Sequence, residues 1–108
     1  MHANDYQQAA LRTATPGQEA SERLLAAALG LCGEAGEFAD SLKKARFQGH
    51  PLDTAHLAEE LGDLLWYAAL ACDALNLNIA EVMEQNIAKL QRRYPEGFSS
   101  ERSQQREE

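Results

Sequence analysis

The sequence is poor in the residues that interrupt or cross-link a chain. It has three prolines and seven glycines among 108 residues. So few breaks argue against short strands joined by tight turns and favour long helices. The two cysteines, Cys32 and Cys72, are too few for a disulfide framework, and no CxxC pair occurs. Both fall on apolar helical faces and are expected to be buried thiols. Basic residues are also scarce: 10 Lys and Arg stand against 17 Asp and Glu, a formal net charge of −7. That balance argues against a nucleic-acid polymer as partner, which needs a basic stripe. The longest apolar runs, LLAAALGLC and LLWYAALAC, are nine residues each. A membrane-spanning helix needs about 20, so no membrane partner is expected. No basic segment followed by an apolar one opens the chain. A signal peptide is therefore not expected, and the default compartment is the cytoplasm.

What is present is alanine, leucine and helical periodicity. The length fits one domain, placed at residues 1–98. A first helix is expected from Asn4 to Ala14, ending before Thr15-Pro16-Gly17. A second runs from Ser21 to Phe47, with a seam at Leu24, Ala28, Leu31, Ala35, Phe38, Leu42 and Ala45. Its alternating steps of four and three mark a helix-packing face. Asp53 is a suitable N-cap for a third helix reaching Leu75, with its seam at Leu57, Leu61, Leu64, Ala68, Ala71 and Leu75. From Leu64 to Cys72 this helix is apolar on every side. A helix of that kind is surrounded by protein, and so short a chain needs a partner subunit to do it. Asn78 and Glu81 resemble a capping box for a fourth helix, whose Ile79, Val82, Met83, Ile87, Leu90 and Tyr94 are expected to face inward. The polar tail, residues 99–108, is expected to be disordered.

The second helix carries GEAGE, with Glu34 and Glu37 beside Gly33 and Gly36. Each interior glycine costs a helix roughly 0.5–1 kcal/mol against alanine. The third helix carries Glu60, Asp63 and Tyr67 as an i, i+3, i+7 stripe. If the two seams pack antiparallel, the four carboxylates converge. Unpaired and desolvated, such a group would take up protons. A hard divalent cation resolves the repulsion, and Mg²⁺ or Mn²⁺ prefers oxygen ligands. The glycines would then leave room for metal, water and phosphate. Asn86, Lys89 and Arg93 form a further i, i+3, i+7 stripe on the fourth helix. Lysine and arginine on one face suit phosphate oxygens.

GEAGE, then EELGD, then NIAKLQRRYPEGF resembles the MazG-like branch of the all-α nucleoside triphosphate pyrophosphohydrolases. The two acid pairs are separated by 22 residues, and the likeness runs from Tyr6 to Phe98. It implies an all-α, four-helix-bundle-like fold completed as a homodimer or homotetramer. It implies Mg²⁺, with Mn²⁺ as a substitute, held by Glu34, Glu37, Glu60 and Asp63. Glu34 or Glu37 is implied to activate water. Lys89, Arg93 and Asn86 match phosphate-binding positions, and Tyr67 matches a position lining the nucleotide pocket. The implied reaction is hydrolysis between the α and β phosphates, releasing a nucleoside monophosphate and pyrophosphate in nucleotide-pool housecleaning. Tyr6 and Gln7 match positions that touch base or ribose in close relatives, or serve structure. Some relatives stack the base on an aromatic about eight positions after ExxE; that region reads KKARF here, with Phe47 as its only aromatic.

Two other readings compete. A di-iron bundle would want Glu-x-x-His, and neither site helix has it. A non-catalytic oligomeric interaction or nucleotide-binding module would not need the complete acid set.

Overall fold

The computed structural model describes residues 1–105. Among them five helices follow one another: α1 (Ala3–Leu11), α2 (Ala20–Phe47), α3 (Thr54–Ala74), α4 (Ile79–Arg93) and α5 (Ser100–Gln104). The fold is all-α. The α1 helix ends earlier than its sequence suggests. Its last turn tightens, with Thr13 and Ala14 amides donating three residues back, to Ala10 and Leu11 carbonyls. Asp53 caps α3 by accepting from the His56 amide at 3.1 Å. Asn78 caps α4 by accepting from the Glu81 amide at 3.0 Å.

The spine is the antiparallel pair α2 and α3. Arg23 pairs with Asp73, Gly30 lies under Tyr67, and Ser41 meets Glu60, so the numbers run in opposite directions. The α1 helix lies across α3. The Trp66 indole N–H donates to Ala10 O at 3.2 Å and Thr13 Oγ1 at 2.8 Å. Gln7 is 4% exposed and joins three elements. Its Nε2 donates to Ala69 O and Leu77 O, and its Oε1 accepts from the Ile79 amide. Asn4 Oδ1 accepts from the next amide, Ala80. Two side chains of α1 thus satisfy the first free amides of α4. Gln7→Ala strands these groups, and a loss of about 2–3 kcal/mol of stability is expected. A lowered urea midpoint with an unchanged slope would show it.

The structure corrects three expectations. Cys72 is buried but Cys32 is exposed, because it shares an outer α2 stripe with Leu25 and Leu29, which are also exposed. Of the α4 residues expected to face inward, Val82, Met83, Ile87 and Leu90 are open within one chain, Ile87 being 54% exposed, while Ile79 is buried and Tyr94 half-buried. The reason is topological: α4 packs against α1 and α3 and not appreciably against α2. The tail read as disordered forms α5 over Ser100–Gln104, capped by Ser99 Oγ accepting from the Arg102 amide. Arg102 then donates to the Arg93 and Arg92 carbonyls at the end of α4. Residues 106–108 lie outside the described residues.

One chain is open in shape. Its radius of gyration is 16.9 Å, where about 13 Å is usual for this length. It exposes 8083 Å², where a monomer of this size is expected to expose about 5,900 Å². Among the described residues no large side chain is fully buried. No helix among them is long and apolar enough to cross a membrane.

Candidate active site

Packing α2 on α3 brings the acids together. One carboxylate oxygen from each of Glu34, Glu37 and Glu60 lies within 4.8 Å of the others. Glu60 is buried, Glu34 half-buried and Glu37 exposed. Asp63 stands outside this group of three but shares a cleft with Glu34. A Cβ built on Gly33 or Gly36 meets nothing within 4 Å, so the backbone between the glutamates borders open space.

Burial pushes the Glu34 carboxyl above its ordinary range, and the charges of Glu37, Asp63 and Glu60 push it the same way; His56 opposes them weakly. Glu34 Oε2 is buried with no hydrogen-bond partner. An ionised oxygen left so is costly unless something positive meets it. The donor set is hard oxygen throughout, which suits Mg²⁺ or Mn²⁺. The residues present therefore fit a divalent cation.

A raised carboxyl has a stated effect on stability. Folded Glu34 holds its proton more tightly than the unfolded chain does. Its share of stability is present at low pH and lost as pH rises through the raised folded value. Asp40 has the opposite sign. Hydrogen bonds from Lys44 and then Lys43 hold it below its ordinary value, so its share is lost as pH falls. In chelator, the melting temperature of Glu34→Gln is expected to exceed that of wild type by a margin that grows from pH 4.5 upward. Circular-dichroism melts at several pH values check this.

The cleft beside the acids has a volume of about 440 Å³ and is lined by Tyr6, Glu34, Gly62, Asp63, Trp66 and Tyr67. Its carboxylates lie next to its three aromatic rings. The Trp66 and Tyr67 rings meet edge to face, centroids 4.9 Å apart. A methyl group at Gly30 would overlap the Tyr67 ring, so this glycine lets the ring pack closely against α2.

Other candidates fall elsewhere. Asn86, Lys89 and Arg93 sit on α4 and do not line the cleft. Lys43 and Lys44 both pair with Asp40, at 3.0 and 2.9 Å. Gln7 is structural, whereas Tyr6 reaches the cleft. Phe47 is 75% exposed at the end of α2, with the Arg46 guanidinium 5.4 Å from its ring centroid. Two further residues contact Glu60: His56, which the sequence offers only as a candidate polar pocket residue, and Ser41, which it does not single out. The i, i+4 spacing of His56 and Glu60 was a signal for one; Ser41 is visible only after packing.

Comparison with known proteins bears on the same residues. A profile of the MazG nucleotide pyrophosphohydrolase domain matches residues 22–98. The chain is 37% identical over 105 residues to the "Gene 37 protein" of Mycobacterium phage L5, covering 90% of this chain and 92% of that protein. No solved structure matches the chain.

Proposed function

The chain belongs to the MazG nucleotide pyrophosphohydrolase family, and from that premise we propose that it hydrolyses a nucleoside triphosphate between the α and β phosphates, with Mg²⁺, as a homo-oligomer. The observation that carries the proposal is the three-glutamate cluster with the unpartnered Glu34 oxygen, opening on an aromatic cleft. A divalent cation bound there would neutralise phosphate charge and lower the pKa of water. Glu34, Glu37, Glu60 and Asp63 hold it. Glu34 or Glu37 also accepts a hydrogen bond from the attacking water and fixes its direction. Tyr6, Trp66 and Tyr67 flank the nucleoside and keep bulk water from its faces. Lys89 and Arg93, with Asn86 beside them, hold the departing pyrophosphate oxygens.

The basic stripe does not line the cleft within one chain, and the open surface suggests how the site is completed. The excess exposure is about 2,000 Å² per chain, the scale of an obligate interface. The outer apolar residues of α2 and α3 and the open face of α4 supply that surface. A second copy covers it and completes the cleft.

Pyrophosphate release from a panel of canonical and modified nucleoside triphosphates, with Mg²⁺ and with chelator, tests the proposal. Mg²⁺-dependent release from at least one of them is expected. No turnover on any member, from a folded oligomer, would favour a non-catalytic module.

A further inference from the structure

Glu60 is the most enclosed of the four acids, 3% exposed, and its carboxylate is held from two helices. Ser41 on α2 donates its hydroxyl to Oε1 at 3.2 Å. His56, one turn before Glu60 on α3, places Nε2 3.4 Å from the same oxygen. The backbone of His56 is itself fixed, because its amide donates to the Asp53 cap. Both contacts fall on one oxygen and restrain the rotation of the whole carboxylate.

We propose that Ser41 and His56 are positioning residues that set the Glu60 carboxylate against Glu34 and Glu37 and thereby preorganise the cluster for a divalent cation. The inference rests on the metal reading above and adds to it the two groups that make the cluster rigid. A free glutamate side chain loses rotamer freedom when a cation captures it. One already held has lost that freedom on folding, so more of the cation's binding energy appears as affinity. Partners that orient a ligating carboxylate commonly change metal affinity by about 10–100-fold. Neither residue needs to touch the cation or the substrate. The alternative is that Ser41 only clasps α2 to α3 and that His56 is an incidental neighbour.

Calorimetric titration of the full-length protein with Mn²⁺ separates these cases, using wild type, Ser41→Ala, Ser41→Thr and His56→Ala at one pH. Metal-free melts of each accompany it. Both alanine variants are expected to bind Mn²⁺ about tenfold more weakly. Ser41→Thr keeps the hydroxyl and is expected to keep wild-type affinity. The His56 side chain is 56% exposed, so His56→Ala is expected to leave the metal-free melting temperature unchanged. Wild-type affinity in both alanine variants would overturn the positioning role and leave the metal reading standing. A wild-type protein that neither binds Mn²⁺ nor shows Mg²⁺-dependent turnover would overturn both. If Ser41→Ala fails to fold, Ser41 is a clasp and unchanged affinity in His56→Ala then ends the proposal.

Discussion

Replacing Glu34 by glutamine is expected to abolish Mg²⁺-dependent pyrophosphate release and, in the same protein, to raise the melting temperature without metal. The two effects share one cause. Burial presses on the Glu34 charge, and the charges of Glu37, Asp63 and Glu60 press the same way. Glutamine keeps the shape and removes the charge, so the metal-free site relaxes. It also removes an oxygen suited to the cation. Activity is expected to fall at least about 10²-fold, beyond the ~10–100-fold effects typical of outer-sphere partners. The thermal gain that Mg²⁺ confers on wild type by mass action should disappear. Glu59→Gln is the control: Glu59 is exposed and outside the group of three, and neither effect is expected there. An active Glu34→Gln protein would remove Glu34 from the ligands. An inactive one that melts lower than wild type would make Glu34 a structural residue.

The second large effect is a reversal of sign between glycines on one helix. Gly30, Gly33 and Gly36 all lie inside α2. Propensity alone predicts that alanine stabilises each by roughly 0.5–1 kcal/mol. At Gly36 the added methyl meets open space, so that gain is expected in full. At Gly30 the methyl overlaps the Tyr67 ring. The ring cannot slide freely, since Trp66 packs edge-on to it and Trp66 is tied to α1. Overpacking of this kind costs about 1–3 kcal/mol. Gly30→Ala is therefore expected to lose net stability, about 4–8 °C of melting temperature per kcal/mol in a domain this small. It should also disturb the aromatic wall of the cleft and raise KM. Gly36→Ala should melt higher, because its methyl meets no atom within 4 Å. Parallel melts and steady-state kinetics on the two variants check both. A stabilised Gly30→Ala protein would mean that the Tyr67 ring is free to leave.

The α2 and α3 helices were legible in sequence because two physical signals agreed. Steps of four and three marked both segments as helices, and Asp53 marked where α3 begins. The buried positions, Ala27 on α2 and Glu60, Ala69 and Cys72 on α3, nevertheless lie beside the seams read from sequence, where Ala28, Ala35, Leu42, Leu61 and Leu75 are exposed. Antiparallel packing of the two helices brought Glu34, Glu37 and Glu60 together, while Asp63, expected with them, stands outside the group. The α4 helix shows where that reasoning ends. Its periodicity says that Val82, Met83, Ile87 and Leu90 need cover, but periodicity does not name the covering surface. Cys32 failed similarly, since apolar neighbours mark an outer stripe as readily as a core. The α5 helix was missed because its partners are carbonyls of α4, which Arg102 finds only in three dimensions. Ser41 carried no local signal for the same reason.

Among the described residues no large side chain is sealed from water. If a second copy supplies the missing cover, this protein's durability is set partly by how crowded it is with itself. Each tenfold dilution would then cost about 1.4 kcal/mol at 25 °C. Dilute samples should melt earlier and lose turnover faster than proportion allows, and concentrated ones should resist both.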